Sequence, residues 1–117
     1  MVIVLNMPTF PRDEIVKAAR DKTRRKVGMP PKEPNYWAPG QVINPETGMS
    51  FTPIGVWDWI ADQLESGIDV NHRILEKPPG QDSWWFKATL QGNPRDLYVK
   101  ITYRGGIVIG RSFHLDR

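Results

Sequence analysis

The sequence predicts an α+β domain in which an N-terminal helix, a proline-rich loop and a core helix precede a four-stranded, mainly antiparallel sheet. Helical periodicity is confined to the N-terminal part, and four strand-like runs follow it, at residues 70–76, 84–91, 97–104 and 107–115. Helices followed by a run of strands are typical of the α+β class. The 117 residues fit one domain, with a basic helix and loop in residues 1–54 and a helix plus sheet in residues 55–117.

The first helix is predicted over residues 13–27. Pro11 lies just before this segment, Asp13 stands in its first turn, and Gly28 follows its end. Its apolar stripe is thin and basic side chains cover the rest, so we expect shallow docking on the body. Such a helix serves either as an arm over a phosphate backbone or as a solvated peripheral helix. Residues 1–10 are interpreted as a short edge strand or a loose terminus.

The segment 29–53 is rich in proline: Pro30, Pro31, Pro34, Pro39, Pro45 and Pro53. That density forbids a long helix, and a long irregular segment in a small domain is typical of a functional loop or linker. The residues from Asn44 to Gly48 (NPETG) are typical of a tight turn. We expect Tyr36 and Trp37 to pin the loop to the body, and stacking on RNA bases is the alternative role.

The second helix is predicted to begin at a Thr52 cap, with Pro53 at its first position and Gly67 just past its end. It is the core helix because its apolar face is wide: Val56, Trp57, Ile60, Ala61 and Leu64. Trp59 is expected at the margin of this face. Three carboxylates are expected to face water as ordinary solvated charge rather than to form an acid–base pair: Asp58, Asp62 and Glu65.

The register of the hairpin over residues 97–115 decides which side chains share a face. A two-residue turn at Gly105-Gly106 pairs Lys100 with Arg111 and mixes apolar with polar side chains. A three-residue turn with a glycine bulge, over Arg104-Gly105-Gly106, pairs Tyr103 with Ile107 instead. The apolar residues then share one face: Leu97, Val99, Ile101, Tyr103, Ile107, Ile109, Phe113 and Leu115. We therefore favour the three-residue turn.

One residue does not fit this choice. Arg111 falls on the apolar face, where its charge must reach the sheet edge or a carboxylate. The opposite, polar face gathers Tyr98, Lys100, Ser112 and His114. In the favoured register Tyr98 faces Ser112, Lys100 faces Gly110, and His114 lies diagonal to Tyr98.

The combination of His, Tyr and Lys on a non-core face favours a functional site, although a single histidine most often has a structural role. Such a cluster suits RNA cleavage by the ribose 2′-hydroxyl. Histidine serves as base or acid near neutral pH, tyrosine positions or donates a proton, and lysine stabilises charge on the phosphoryl oxygens. This chemistry needs no metal and no other cofactor, and we expect none.

Composition limits the partners. The net charge is +3, and basic ends, each of net charge +4 (residues 1–34 and 83–117), flank an acidic middle of net charge −5 (residues 35–82). This distribution favours nucleic acid, while an acidic protein partner or ordinary surface solubility fits the same charges. Without cysteine, and with two histidines, the chain offers no disulfide framework and a poor basis for a structural zinc site. The first apolar run ends at Pro8, so we expect no signal peptide, no membrane partner and a cytoplasmic location.

Three stretches of the C-terminal half match the motifs of a known family: Leu97-Tyr98-Val99-Lys100-Ile101-Thr102, Ile107-Val108-Ile109 and Ser112-Phe113-His114. They resemble the closing hairpin, a Tyr-x-Lys-Ile-Thr strand and a terminal Ser-Phe-Lys, of the motility quorum-sensing regulator toxins, which are members of the RelE-like ribonuclease superfamily. The similarity extends back through Trp84 to the core helix and covers about residues 55–117.

The resemblance implies site residues. The family's active-site tyrosine falls on Tyr98, its terminal lysine on His114, an upstream lysine on Arg73 and a glutamine on Trp85. Histidine in place of lysine exchanges a permanent cation for a titrating group that suits acid–base work. The expected catalytic set is Tyr98, His114, Arg73 and Lys100. RNA contacts are expected from Lys87, Trp85, Ser112, Arg111 and His72.

The implied function is an mRNA endoribonuclease toxin that a protein antitoxin neutralises and that acts on free RNA or on mRNA in the ribosome. Two other functions stay open. One is a non-catalytic module that binds RNA or an acidic protein. Its stacking platform would be formed by Trp84, Trp85 and Phe86 beside Lys87. The alternative interpretation is that two of these three aromatic residues belong to the core. The other is an antitoxin or immunity-type partner protein whose polar cluster only holds the sheet together.

Overall fold

The computed structural model describes residues 9–28, 36–75 and 80–116. Two helices, α1 (Arg12–Ala19) and α2 (Gly55–Glu65), pack on one face of a five-stranded mixed sheet. The strands of this part of the chain are β1 (Arg25–Val27), β2 (Ile43–Asn44), β3 (Met49–Ser50), β4 (Asn71–Ile74), β5 (Asp82–Ala88), β6 (Leu97–Arg104) and β7 (Ile107–Leu115). The order in the large sheet is β1-β7-β6-β5-β4, and β2 pairs with β3 separately. Within these ranges, no helix combines the length and the apolar character needed to cross a membrane.

The α+β class is confirmed, but the sheet has a fifth strand because the predicted first helix is too long. The helix stops at Ala19, and the Asp21 carboxylate accepts hydrogen bonds from the amide and the hydroxyl of Thr23 at 2.9 and 2.7 Å. Such a side-chain turn competes with helix continuation. The basic segment after it runs parallel to β7, where Val108 N donates to Arg24 O at 2.9 Å.

The expectation of shallow docking for α1 is wrong. Four of its side chains are buried and join the core: Ile15, Val16, Ala18 and Ala19. Its first residue also reaches the second helix, since the Arg12 guanidinium donates to Leu64 O at 2.7 Å and to Ile68 O at 2.9 Å. A cation at the carbonyl end of a helix is favourable for the helix dipole. The helix is therefore a part of the body, neither a mobile arm nor a solvated appendage.

The core helix agrees with its prediction in its apolar face and its end, but not in its start or in the position of Trp59. The helix begins at Gly55 with Ile54 at its N-cap, so the predicted start, with Thr52 as the cap and Pro53 at the first position, is two residues too early. Thr52 Oγ1 still accepts a hydrogen bond from Gly55 N at 2.8 Å. Gly67 follows the end with a φ of +91°, a conformation that favours glycine. Trp59, expected at the margin, is only 4% exposed. It is buried because the rings of Phe51 and Phe113 lie 5.5 and 6.0 Å from it.

The proline-rich segment is pinned to the sheet, as expected. Trp37 forms a bridge with Phe113 and its ring lies 5.2 Å from the ring of Trp57. The segment also contains a 3₁₀ helix, Pro39–Gln41, and the β2–β3 pair, closed by the predicted turn in which Gly48 N donates to Asn44 O at 2.8 Å. The interpretation of the terminus concerns mainly residues 1–8, which lie outside the described part, as do residues 29–35 and 76–79.

The predicted bounds of β6 and β7 are confirmed, but the predicted register of their hairpin is wrong. Arg104 pairs with Ile107, so the turn has two residues, Gly105 and Gly106, with φ values of +61° and +80°. Positive φ at both positions is the geometry of a tight two-residue hairpin turn. The irregularity lies further along, where Ile101 pairs with Gly110 but Lys100 pairs with Ser112. Arg111 is the extra residue of this bulge.

The bulge changes which β7 side chains meet the core. Before it, Val108 is buried in the core, whereas Ile107 and Ile109, predicted on the apolar face, point to the opposite one. Arg111, also predicted on the apolar face, lies on the polar one, where its Nε donates to Thr102 Oγ1 at 3.1 Å. A bulge inserts one residue and so reverses the alternation of the strand. The core formed by the described residues therefore contains no arginine.

Candidate functional site

The candidate site lies on the face of the five-stranded sheet opposite the helices, which we call the polar face. Cross-strand partners share a face, so the pairing of β4 to β7 defines its members. Ile107 and Ile109 lie on it beside these residues: Asn71, Arg73, Ser83, Trp85, Lys87, Tyr98, Lys100, Thr102, Arg111, Ser112 and His114. Both helices of the described part pack on the other side. The polar face is therefore not covered by either of them.

Two rows of side chains cross this face. The first row is Lys87, Tyr98 and His114 on β5, β6 and β7. The rings of Tyr98 and His114 are direct cross-strand partners with centroids 5.5 Å apart. The predicted diagonal placement of His114 and the predicted Tyr98–Ser112 pair are wrong, because the bulge advances β7 by one residue. The same shift makes Ser112, rather than Gly110, the partner of Lys100.

One ring nitrogen of His114 is committed to the backbone. Nδ1 lies 2.9 Å from Leu115 O, and because a carbonyl only accepts, Nδ1 carries the proton. In the neutral ring Nε2 is then the acceptor. An imidazole in this state can take a proton from a hydroxyl group brought to Nε2.

The phenol of Tyr98 is held in its protonated form. Partial burial raises its pKa, and the positive charges of Arg73 and Lys87 oppose this rise. At neutral pH its hydroxyl is therefore available as a donor. A donor and an acceptor thus stand side by side on adjacent strands.

Lys100 and Ser112 form the buried centre of the second row. Lys100 is 7% exposed and Ser112 is fully buried. Burial lowers the pKa of Lys100, and the charges of Arg73 and Arg111 lower it further. Among the described residues no carboxylate pairs with Lys100, and Ser112 Oγ has no hydrogen-bond partner. Buried polar groups are normally satisfied, so a buried ammonium and a buried hydroxyl without such partners are an unusual feature of this row.

The other cations lie around this centre. Arg73 is on the polar face because β4 pairs Arg73 with Ser83, so it lies on the same face as Tyr98. Arg111 is partly buried, which lowers its pKa, and its Nη2 approaches Gln81 Oε1 at 3.5 Å. Lys87 is paired with Asp116 at 2.7 Å, and this hydrogen bond raises its pKa.

His72 is the one proposed RNA contact that the fold does not bring to this face. It pairs with Trp84, so its ring lies on the helix side of the sheet, 4.7 Å from the Trp84 ring. Its Nε2 lies 2.7 Å from Asp82 Oδ1. Neighbouring residues of a strand alternate between faces, which separates His72 from Arg73.

A row of aromatic rings crosses the face and includes Tyr36, which was expected to pin the loop, with stacking on RNA bases as the alternative role. Ring centroids lie 5.6 Å apart for Trp85 and Tyr98, and 6.1 Å apart for His114 and Tyr36. With the Tyr98–His114 contact this makes four consecutive rings, which we call the aromatic row. Trp85 joins it as strand alternation predicts, whereas Trp84 and Phe86 are buried in the core. The sequence signal for Tyr36 was its place beside Trp37, which pins the segment.

No family model, curated protein or solved structure matches this chain. Across the described ranges, no three His, Asp or Glu side chains come together in a way that could hold a metal ion.

Proposed function

We propose that the polar face binds single-stranded RNA and that the protein is a metal-independent endoribonuclease that cleaves mRNA through the ribose 2′-hydroxyl. The observation that carries this proposal is the direct pairing of Tyr98 with His114, with a buried lysine in the next row that pairs with no carboxylate of residues 9–28, 36–75 or 80–116. A proton acceptor, a proton donor and a cation are the groups that this reaction requires.

In the proposed reaction His114 Nε2 takes the proton of the 2′-hydroxyl as the 2′-oxygen attacks the phosphorus. The bond from phosphorus to the 5′-oxygen breaks, and the Tyr98 hydroxyl gives its proton to that oxygen. The products are a 2′,3′-cyclic phosphate and a free 5′-hydroxyl. Lys100, Arg73 and Arg111 stabilise the negative charge on the phosphoryl oxygens.

The test is incubation of the purified protein with a short defined RNA in EDTA. We expect cleavage to the cyclic phosphate, reduced about 100-fold or more in His114→Ala and in Tyr98→Phe, both of which remain folded. The matched controls, His72→Ala on the helix side and Tyr103→Phe, retain cleavage. RNA that stays intact at enzyme excess, with and without ribosomes, would contradict the proposal.

The resemblance of the hairpin suggests a cellular role, which we include in the proposal: a cytoplasmic toxin held inactive by a protein antitoxin. Induced expression of the wild type then stops growth, and His114→Ala relieves the arrest. If the wild type and His114→Ala arrest growth equally, toxicity does not depend on this site.

A second candidate function is a non-catalytic RNA-binding module, which the aromatic row favours. Bases stack on successive aromatic rings at about 1–3 kcal/mol per base. This function predicts that RNA is bound and recovered intact, and that Trp85→Ala weakens binding about tenfold. Product analysis of the same EDTA reaction distinguishes the two candidates.

A further inference from the structure

A pocket of about 210 Å³ lies at the end of the aromatic row. Its lining residues are Tyr36, Gln41, Pro94, Arg95, His114 and Leu115. His114 is therefore both the proposed general base of the cleavage reaction and a part of the wall of this pocket. Tyr36 and Gln41 come from the N-terminal half, outside the region of the family resemblance.

The backbone fixes the wall that Tyr36 and Gln41 form. Phe113 N donates to Tyr36 O and Ala38 N donates to Phe113 O, both at 2.8 Å, so this segment extends the sheet alongside β7. Gln41 follows in the 3₁₀ helix, where its amide donates to Ala38 O at 3.0 Å. Its side-chain Nε2 donates to Tyr36 Oη at 3.3 Å. The ring and the carboxamide are thus positioned before any ligand binds.

The polar groups of the pocket suit a nucleotide. The Gln41 carboxamide presents an acceptor, Oε1, next to a donor, Nε2, and adenine presents the complementary donor and acceptor on its edge. Arg95 uses one nitrogen on Asp116 O at 3.2 Å, which leaves further N–H groups for a phosphate. The pocket is smaller than the roughly 300 Å³ at which sites for drug-sized ligands begin, so it fits one base rather than two.

We propose that this pocket, the base pocket, binds the adenine of the nucleotide next to the cleaved phosphate. The Tyr36 ring stacks on the base, Gln41 reads its edge with two hydrogen bonds, and Arg95 contacts the neighbouring phosphate. This inference deepens the proposed function and rests on it for the position of the cut. Unstacked bases in protein–RNA complexes are recognised in this way, by an aromatic ring and edge hydrogen bonds.

The first experiment compares short RNAs that carry a single adenine, guanine, cytosine or uracil in a constant context. We expect the wild type to cut beside adenine about tenfold faster than beside the other bases, since one bidentate contact discriminates to this extent. Gln41→Leu reduces the difference to about twofold. Gln63→Leu, a matched change on α2 on the helix side, keeps it. Cleavage without base preference, or a preference that survives Gln41→Leu, overturns the base pocket.

The second experiment does not depend on cleavage. Adenosine 5′-monophosphate is titrated into the protein and followed by nuclear magnetic resonance of the backbone amides. We expect shifts of the amide signals of Tyr36, Gln41 and His114. The dissociation constant obtained from the titration should be about tenfold higher for Gln41→Leu, and the other three monophosphates should bind the wild type more weakly. If RNA stays intact but these shifts occur, the base pocket stands and the endoribonuclease proposal fails. If no shifts occur at these residues, the base pocket is overturned whether or not RNA is cleaved.

Discussion

At the scale of single residues, Lys100 is the most unusual group of the polar face. It is buried beside Ser112 and Trp85 without a carboxylate partner in the described chain. A buried ammonium without an ion-pair partner is unfavourable for folding. A side chain that destabilises the free protein and faces a potential ligand is typical of a functional site, where stability is sacrificed for binding.

We predict that Lys100→Met raises the free energy of unfolding by about 1 kcal/mol at pH 7 and lowers RNA cleavage about 100-fold. The folded-state pKa of Lys100 lies below its ordinary value of 10.5, so the unfolded chain binds more protons between these two values. The free energy of unfolding of the wild type therefore rises relative to that of the variant as pH rises through this window, and the two values become equal near pH 10.5. Urea unfolding at several pH values measures this. A less stable variant at pH 7 would show that Lys100 supports the sheet.

At the scale of elements, β7 organises the site because it has neighbours on both edges. β6 pairs with one edge, while β1 and the bridge at Trp37 occupy the other. The Trp37 ring covers Gly110, where an added Cβ would lie 2.5–2.9 Å from three ring atoms. Gly110 is thus required by packing and not by its backbone conformation.

We predict that Gly110→Ala lowers the free energy of unfolding by about 2 kcal/mol, because the added methyl group displaces the Trp37 ring from β7. The matched control is Gly40→Ala, where nothing lies within 4 Å of the added atom, and its effect should stay within about 0.5 kcal/mol. Denaturant unfolding followed by tryptophan fluorescence measures both. Equal stability of the two variants would mean that Trp37 is not packed on Gly110 in solution.

At the scale of the whole molecule, charge is distributed between the two sides of the sheet. On the helix side Arg20 pairs with Asp62 at 2.8 Å and lies 3.5 Å from Glu65. On the polar face no carboxylate of the described residues forms an ion pair with Arg73, Lys100 or Arg111. A polyanion would therefore be attracted to the polar face.

We predict that binding of an uncleavable 2′-O-methyl RNA weakens with salt, with a slope of about −2 on a double-logarithmic plot for these three cations. Arg73→Gln reduces the slope by about 0.7. Arg20→Gln, the same change on the helix side, leaves it unaltered. Fluorescence anisotropy at several salt concentrations gives the slopes. An equal effect of the two changes would place the RNA elsewhere or make its binding non-specific.

The sequence predicted which residues belong to the candidate site better than it predicted how they are arranged. Strand alternation placed Tyr98, Lys100 and Trp85 on one face, and this follows from local pattern alone. Gln41 and Arg95 were not predicted as site residues, and base stacking was only the alternative role of Tyr36, because these residues are far from His114 in sequence. Only the pairing of the proline-rich segment with β7 brings Tyr36 to that ring.

The sequence by itself determined the α+β class, the core helix and the bounds of β6 and β7, since each depends on periodicity, caps and turns within one segment. Tertiary structure decided the fifth strand, the burial of Trp59 and the position of the bulge at Arg111. The physical reason is that pairing and register satisfy many distant contacts at once. A bulge inside β7 places Val108 in the core and Arg111 on the polar face, whereas a bulge at the turn does the reverse. The local sequence pattern does not show which of these two positions the bulge takes.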